Sequence, residues 1–277
     1  MRNHDLYAVF GHPIQHSRSP LIHRLFAEQT AQDRFQYEAW DVPAEHFENR
    51  IHEFIEQHGK GLNCTIPLKE LAFQIAAESS QRAALCKAAN TLVVREDGSL
   101  FADNTDGIGL VRDLEQNLIL ALDKLDILIL GAGGACRGIL GPLLDCKPKQ
   151  LFIGNRSAQK ARDLATEFQQ YPNLSAGGLD ELPGKQFHLI LNATSASLSG
   201  ELPLLPDGIL AREGVCYDLA YASSPTAFVQ WGWLHNASIS VDGIGMLVEQ
   251  AAEAFQIWRG LRPDTVPVIR ALGACRT

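Results

Sequence analysis

A glycine-rich turn near the middle of the chain constrains the fold more than any other feature of the sequence. Asp126–Leu130 reads as a buried strand, the turn Gly131-Ala132-Gly133-Gly134-Ala135-Cys136-Arg137 follows at once, and an apolar helical pattern continues over 138–144. A strand, a glycine turn and a helix in that order begin a Rossmann unit, in which the turn binds phosphate. Because so much of the 277-residue chain precedes this turn, we expect the N-terminal half to bind a substrate.

Composition and charge exclude several classes of protein. A net charge of -8 argues against nucleic acid and anionic membrane surfaces as partners. No segment has the apolar length of a membrane span, and the N-terminus runs straight into a predicted strand, which argues against a signal peptide. The six cysteines contain no CxxC pair and no metal-like spacing, and they lie at positions 64, 86, 136, 146, 216 and 275. The sequence therefore predicts a cytoplasmic protein with reduced thiols and no metal.

The first half of the chain alternates predicted strands and helices. Pro20 is expected to open a helix whose apolar face carries Leu21, Ile22, Leu25 and Phe26. Predicted strands cover 6–10, 35–42, 60–66 and 90–95, and predicted helices cover 44–58 and 107–118, with shorter helices from about 67 and near 81.

The second half repeats this alternation more regularly. Predicted strands cover 126–130, 151–155, 187–192, 215–219 and 238–241, and a long helix covers 246–258. Such alternation predicts an α/β fold with a mostly parallel sheet and helices on both faces.

The glycine turn is expected to bind a dinucleotide cofactor. Gly131 would permit the sharp bend, Gly133 would let a pyrophosphate approach the backbone, and the N–H groups at the helix end would bind its charge. Cys136 stands where the usual pattern has a third glycine. A purely structural strand–helix turn is the alternative.

The residues after the next strand indicate which nucleotide is bound. A site that prefers NAD ends this strand with Asp or Glu, but the chain has Asn155-Arg156-Ser157, followed by Lys160. Arg156 can bind a 2′-phosphate with its guanidinium fork. Cations are unfavourable at a helix N-terminus, so their presence there favours an anionic ligand and predicts NADP. Solvated surface charges are the alternative.

Two serines before the first helix could bind a carboxylate. Ser19 is a plausible N-cap and Pro20 suits the first helical position. Capping explains Ser19 alone, whereas Ser17 and Ser19 together would form a small anion cradle beside free N–H groups. Both interpretations stay open.

A second polar group surrounds a lysine. Asn63 and Thr65 alternate along a predicted strand, so they share a face, and Lys69 falls in the first turn of the next helix. Lys69 is a candidate acid/base group, with a solvated surface lysine as the commoner case. Asp106 could cap the helix that follows it, or it could pair with Lys69 and share a proton.

Taken in order, these motifs resemble the shikimate dehydrogenase family. The matching segments run from about residue 7 to about residue 262: SxS with proline (17–20), NxTxPxK (63–69), AANT (88–91), DNTDG (103–107), GAGGAxR (131–137), NRS (155–157), NATS (192–195), YDLAY (217–221) and DGIGMLxxQAA (242–252). Two departures, Ala196-Ser197 after NATS and Thr226-Ala227-Phe228 without a proline, are expected to fall in loops.

The resemblance implies an activity and a set of site residues. Members of the family reduce 3-dehydroshikimate to shikimate with NADPH, on the route to chorismate and the aromatic amino acids. The resemblance implies that Lys69 and Asp106 are the catalytic pair. The implied substrate residues are Ser17, Ser19, Asn63, Thr65, Lys69, Asn90, Asp106, Tyr221 and Gln250. The implied cofactor residues are Gly131, Ala132, Gly133, Gly134, Ala135, Arg137, Asn155, Arg156, Ser157, Lys160, Thr194, Leu219, Gly243 and Met246.

The resemblance also implies two lobes. A substrate-binding lobe would cover 1–105 and be completed by C-terminal helices in 244–277, and an NADP-binding Rossmann lobe would cover 106–243. The expected assembly is a monomer or a homodimer. Two alternatives stay open: a relative that also oxidises quinate, often with NAD, and a non-catalytic NADP-binding regulator on the same scaffold.

Overall fold

The computed structural model describes residues 4–194, 196, 200–202 and 204–273. Ser195, Ser197 and Cys275, which the sequence analysis considered, lie outside these residues. The chain divides into two compact units, Met1–Gly109 with Leu247–Val268 and Leu110–Met246 with Ile269–Thr277. The expected boundaries after 105 and 243 are thus each displaced by a few residues, and the chain from Ile269 groups with the second unit rather than the first.

The first unit is a mixed sheet with helices. Its strands are β1 (Asp5–Gly11), β2 (Phe35–Asp41), β3 (Gly61–Cys64), β4 (Glu78–Ser79), β5 (Thr91–Val94) and β6 (Leu100–Asp103). Its helices are α1 (Ser19–Gln29), α2 (Phe47–Glu56), α3 (Lys69–Ile75) and α4 (Gln81–Cys86). A 3-10 turn at Ala44–His46 precedes α2, so the helix predicted over 44–58 is divided and shorter.

The sheet order of the first unit is β2-β1-β3-β5-β6-β4. β1 pairs in parallel with β2 and β3, whereas β3, β5 and β6 pair antiparallel. The AANT segment enters β5 and the DNTDG segment leaves β6, so antiparallel pairing brings these two segments together at one end of the sheet. Thr91 lies directly opposite Asp103 in this register.

Three helices carry the chain between the two units, because a unit boundary falls within each of them. They are α5 (Asp106–Arg112), α9 (Ile244–Arg259) and α10 (Val266–Ala271). The helix predicted over 107–118 is continuous in extent, but its last part, Asp113–Asn117, is π-helical. The Leu118 N–H bonds to the Asp113 carbonyl at 3.0 Å, which is the wider turn that a π-helix requires.

The second unit is a parallel sheet with helices between its strands. Its strands are β7 (Asp126–Leu130), β8 (Gln150–Asn155), β9 (Leu174–Gly178), β10 (Phe187–Asn192), β11 (Leu210–Asp218) and β12 (Ile239–Val241). Its helices are α6 (Gly134–Asp145), α7 (Ala158–Thr166) and α8 (Ala227–Leu234), and α10 (Val266–Ala271) spans the boundary near the C-terminus. The order β12-β11-β10-β7-β8-β9 is the Rossmann order, and every pair is parallel. The predicted α/β fold class is confirmed.

One departure from the motifs was placed in a loop by the sequence analysis, and that prediction was wrong. Ala227 and Phe228 lie in α8, and Thr226 is the N-cap of this helix. The Thr226 hydroxyl accepts a hydrogen bond from the Val229 N–H at 3.2 Å. A threonine supplies this cap as a side-chain acceptor, so the helix begins here without a proline.

Candidate active site and cofactor site

The first unit contains a short ion pair between the two residues predicted to be catalytic. Lys69 begins α3 and Asp106 begins α5, and the Lys69 Nζ lies 2.5 Å from the Asp106 Oδ2. The lysine side chain is partly exposed and the aspartate largely buried. An ammonium group held on a carboxylate, with one side open to solvent, can give or take a proton through a short hydrogen bond.

Asn90 connects this ion pair to the surrounding polar residues. Its Nδ2 lies 2.9 Å from the Asp106 Oδ1, 2.9 Å from the Thr105 Oγ1 and 3.1 Å from the Gln250 Oε1. Its Oδ1 accepts hydrogen bonds from the Thr105 N–H at 2.8 Å and the Thr91 hydroxyl at 3.0 Å. Both carboxylate oxygens of Asp106 are therefore held, one by Lys69 and one by Asn90.

Asn63 and Thr65 lie beside this group. Asn63 is on β3 and buried, and its Nδ2 donates to the Asn90 carbonyl at 3.0 Å and to the Thr91 Oγ1 at 3.1 Å. Thr65 follows β3, and its carbonyl accepts a hydrogen bond from the Leu68 N–H in the turn that leads into α3. The structure thus brings together Asn63, Lys69, Asn90, Asp106 and Gln250 as predicted neighbours.

The serines before α1 differ from the expectation. The N-cap position is Arg18, whose backbone is already helical, so Ser19 is the first residue of the helix and the prediction of Ser19 as the cap is wrong. The Ser17 Oγ accepts the Ser19 N–H at 3.3 Å, which ties the two serines together. A hydroxyl two residues before an N–H can reach it locally and satisfies a donor that the helix leaves free.

An arginine that none of the sequence motifs indicates binds the loop before Asp106. Arg82 on α4 binds Asp103 through two contacts, Nε to Oδ1 at 2.7 Å and Nη2 to Oδ2 at 2.8 Å. The Ser80 hydroxyl adds a third, at 2.5 Å to the Asp103 Oδ1. Farther along the loop, the Asn104 Oδ1 accepts the Asp106 N–H at 3.1 Å. The available sequence signal was a serine at a helix N-cap, Ser80, followed two residues later by Arg82. This signal does not reveal that Asp103 is their common partner.

In the second unit, the glycine turn has the features that a phosphate site needs. Gly131 has φ +102°, and a Cβ there would lie 3.0 Å from the Thr194 Cγ2, so the fold itself requires glycine. Gly133 and Gly134 differ, since a Cβ at either would meet nothing within 4 Å among the described residues. Gly133 precedes the first turn of α6 and lacks a side-chain cap. The open space beside free helix N–H groups fits a pyrophosphate.

The remaining residues of this turn are packed or paired. Cys136 is fully buried, and burial raises the pKa of its thiol to about 12, so the thiol stays protonated at neutral pH. Arg137 binds Glu167 with two contacts of 2.7 and 2.6 Å, which places its guanidinium on a carboxylate. Ala132 and Ala135 lie on either side of the two open glycines.

The end of β8 carries the cations expected to select NADP. Asn155 is half-buried, and its Nδ2 donates to the Ser157 carbonyl at 3.0 Å, which shapes the turn into α7. Arg156, Ser157 and Lys160 are exposed. Neither Arg156 nor Lys160 makes a hydrogen bond or ion pair with any residue that the structure describes. Two such cations next to the glycine turn fit a 2′-phosphate.

Of the other predicted cofactor residues, Thr194, Leu219 and Gly243 follow the strands β10, β11 and β12, and Met246 lies in the first turn of α9. The Thr194 hydroxyl donates to the Asn192 Oδ1 at 2.7 Å. A Cβ on Gly243 would lie 2.2 Å from the Leu219 carbonyl oxygen, so close packing requires glycine at this position. The Met246 N–H donates to the Tyr217 hydroxyl at 3.1 Å.

Tyr221, predicted from the resemblance to lie near the substrate, belongs to the second unit. It follows β11 and is half-buried. The other predicted substrate residues, Ser17 to Asp106 and Gln250, belong to the first unit.

No group of three or more His, Cys, Asp or Glu side chains that could hold a metal occurs within the described ranges. In the same ranges, none of the helices combines the length and apolar character needed to cross a membrane.

Comparison with family models identifies matches along most of the chain. Residues 9–92 match the shikimate dehydrogenase substrate binding domain. Residues 113–199 match the shikimate / quinate 5-dehydrogenase model, and residues 243–272 match the shikimate 5'-dehydrogenase C-terminal domain.

Curated relatives and solved structures agree with these matches. The shikimate dehydrogenase (NADP(+)) of Methylococcus capsulatus is 58% identical, and the match covers 100% of this chain and 99% of the relative. An Ael1 enzyme from Pseudomonas putida is 45% identical with a TM-score of 0.90, covering 97% of this chain and 98% of that one. Shikimate 5-dehydrogenase from Thermus thermophilus, solved in complex with NADP(H) and shikimate, is 33% identical with a TM-score of 0.84, covering 96% of this chain and 98% of that one. The chain belongs to the shikimate dehydrogenase (NADP(+)) family.

Proposed function

We propose that this protein catalyses the reversible reduction of 3-dehydroshikimate to shikimate with NADPH, using Lys69 and Asp106 to move the proton. The observation that carries the proposal is the 2.5 Å contact between the Lys69 Nζ and the Asp106 Oδ2, within a connected group of polar side chains. The M. capsulatus and T. thermophilus relatives, named for this activity, support the substrate.

Lys69 is the proposed proton donor. During reduction of a carbonyl, negative charge develops on its oxygen, and an ammonium group within hydrogen-bond reach lowers the barrier by supplying a proton. Asp106 orients the ammonium and can accept a hydrogen bond from a ring hydroxyl. In the oxidative direction, microscopic reversibility makes the same pair take the proton.

Substrate binding is assigned to the first unit. Ser17 and Ser19 would bind the carboxylate, and Asn63, Thr65, Asn90 and Gln250 would bind ring hydroxyls. The hydrogen bonds that join Asn63 to Asn90 and Asn90 to Gln250 support this role, because a site that is already ordered loses little conformational entropy on binding.

Cofactor binding is assigned to the second unit. Gly131 to Ala135 would bind the pyrophosphate against the N-terminus of α6, and Arg156 and Lys160 would bind the 2′-phosphate. Asn155, Ser157, Thr194, Leu219, Gly243 and Met246 would line the rest of the site, with Arg137 at its border. When bound, NADPH supplies the hydride that the side chains of the protein cannot provide.

The proposal is tested by nicotinamide absorbance with four substrate pairs: shikimate or quinate, each with NADP or NAD. Fast turnover with shikimate and NADP alone is expected, because no acidic residue follows β8. Comparable rates with quinate or NAD would instead assign the broader relative, and absence of turnover with every pair would assign a non-catalytic regulator. We also propose that the protein acts in the cytoplasm and that it is a monomer or a homodimer. Sedimentation of the purified chain distinguishes these two oligomeric states.

A further inference from the structure

Tyr37 is a half-buried tyrosine that none of the sequence motifs contains. It lies on β2, and its hydroxyl donates to the Asn63 Oδ1 at 2.7 Å. Burial raises the pKa of Tyr37 well above its ordinary value, so the phenol remains a donor at every working pH. The hydroxyl therefore contacts a residue that is assigned to substrate binding.

The hydrogen bonds of Asn63 determine which way its amide points. Its Nδ2 faces the Asn90 carbonyl at 3.0 Å and the Thr91 Oγ1 at 3.1 Å. The Thr91 hydroxyl donates its own proton to the Asn90 Oδ1, so it can only accept from Asn63. A reversed amide would set an oxygen against the Asn90 carbonyl, and two acceptors repel.

This orientation leaves one lone pair of the Asn63 Oδ1 without a hydrogen bond. Both Nδ2 hydrogens are used within the protein, and the Oδ1 has accepted one bond from Tyr37. A carbonyl oxygen has two lone pairs, and neither ring nitrogen of the nearby His23 has a hydrogen-bond partner among the described residues, so the second lone pair remains for a ligand. Asn63 can therefore receive a hydrogen bond from a hydroxyl but cannot donate one.

Aromatic rings hold Tyr37 in place. The His23 ring stacks on it with centroids 4.1 Å apart and an interplanar angle of 13°, and Phe35 is 6.3 Å away on the same strand. His23 is fully buried, and burial lowers its pKa to about 3, so the ring is neutral and adds no charge next to the phenol. The hydroxyl thus has little freedom to turn away from Asn63.

We propose that Tyr37 is a positioning residue for the substrate: its hydroxyl holds the Asn63 amide with the oxygen available to a donating ring hydroxyl. The inference rests on the proposed function, in which Asn63 binds such a hydroxyl. It adds a specificity rule, since the group facing Asn63 must be a donor.

The first test is Tyr37→Phe, which keeps the ring and removes only the hydroxyl. Removing one partner of a buried acceptor is expected to raise the KM for shikimate about tenfold. The kcat should change less than about threefold, because Lys69 and Asp106 are untouched, and the KM for NADP should not change. An unchanged KM for shikimate would overturn the inference.

Tyr7→Phe is the matched control. Tyr7 is a buried tyrosine on the neighbouring strand β1 and stacks on Phe35 at 4.4 Å, but its hydroxyl faces Arg259 rather than Asn63. The KM of the Tyr7→Phe variant for shikimate should equal that of the wild type. An equal rise in both variants would show a general loosening of the aromatic cluster and would refute a specific role for Tyr37.

A double-mutant cycle with Asn63→Ala separates positioning from packing. If Tyr37 acts through Asn63, Tyr37→Phe should add little to the KM of Asn63→Ala, whereas additive effects would overturn the inference. Failure of the proposed function is distinguishable, because the wild-type protein would then not oxidise shikimate with NADP at all.

Discussion

The polar residues around Lys69 and Asp106 are bound to one another, whereas Gly133, Gly134, Arg156 and Lys160 of the second unit have few partners among the described residues. Asn90 alone contacts four side chains. Gly133, by contrast, borders open space, and Arg156 is exposed. The first group is ordered before any ligand arrives, and the second acquires most of its contacts from the ligand. The effects of a substitution should therefore reach neighbouring side chains in the first group and stay local in the second.

The largest expected effect is that of Lys69→Ala. Loss of a general acid typically lowers a rate by about 10²–10⁴-fold, so kcat should fall by that factor. The affinity for NADPH, measured by fluorescence titration, should stay near the wild-type value because the proposed cofactor residues lie in the other unit. A kcat close to that of the wild type would remove Lys69 from the mechanism.

Arg156→Ala should act on the cofactor alone. Losing a charge-assisted contact to phosphate costs roughly 1.5–3 kcal/mol, so the KM for NADP should rise about 10- to 150-fold. Activity with NAD, which lacks the 2′-phosphate, should not fall. Arg162→Ala is the matched control, since Arg162 is an exposed arginine on α7 that pairs with Glu181 at 2.6 Å. Equal losses in both variants would show that general surface charge, not Arg156, binds the nucleotide.

Gly133→Ala tests whether the requirement for glycine comes from the ligand. Its φ of -95° suits any residue and its Cβ would meet no described atom, so the free energy of unfolding should change by less than about 0.5 kcal/mol. The KM for NADP should rise on the order of tenfold, because the Cβ occupies the space of the pyrophosphate.

Gly131→Ala is the counterpart within the same turn. Its φ of +102° makes a side chain unfavourable, so urea unfolding should show a loss of about 1–2 kcal/mol. A Gly133→Ala protein that is as destabilised as Gly131→Ala and binds NADP normally would reverse our interpretation of the two glycines.

The smallest expected effect concerns the stability of the first unit in acid. Burial lowers the pKa of His23 from 6.5 to about 3, so the folded ring stays neutral while the unfolded ring takes a proton below pH 6.5. The unfolded state then binds more protons than the folded state. The free energy of unfolding should therefore decrease as the pH is lowered from 6.5 towards 3, by up to about 1.4 kcal/mol per pH unit. His23→Leu should remove this slope in urea unfolding at pH 7, 6 and 5. His52→Leu, at an exposed position, should keep it; identical slopes in all three proteins would contradict the assignment.

His23 also shows where a sequence pattern misleads. The apolar face predicted for α1 contained Leu21, but Leu21 is exposed and His23 is buried in its place. Helical periodicity counts histidine as a polar residue. The surrounding aromatic rings, among them those of Tyr37, Phe255 and Trp258, are what make the interior favourable for His23. Phe255 and Trp258 come from a helix more than 200 residues away, which no local pattern reveals.

The elements that the sequence predicted well are those with strong local signals. The strand at Asp126–Leu130, the turn after it and the parallel sheet follow from an unbroken apolar run and from glycine chemistry. The strands Leu100–Asp103 and Leu174–Gly178 and the helix Ala227–Leu234 were not predicted. They are short, and their pairing or capping partners determine them more than their own composition.

By itself, the sequence determined the α/β class, the order of the motifs and the identity of the polar residues, because these depend on residue type and spacing along the chain. The tertiary structure decided which of those residues touch. Antiparallel pairing of β5 with β6 brings Asn90 to Asp106, and a helix from the far end of the chain brings Gln250 to Asn90. Tyr37 shows the same limit. Strand alternation determines the face of β2 on which its ring lies, but its hydroxyl reaches Asn63 only because parallel pairing places β1 between β2 and β3. Hydrogen bonds extend about 3 Å, and only folding brings residues this distant in sequence within that range.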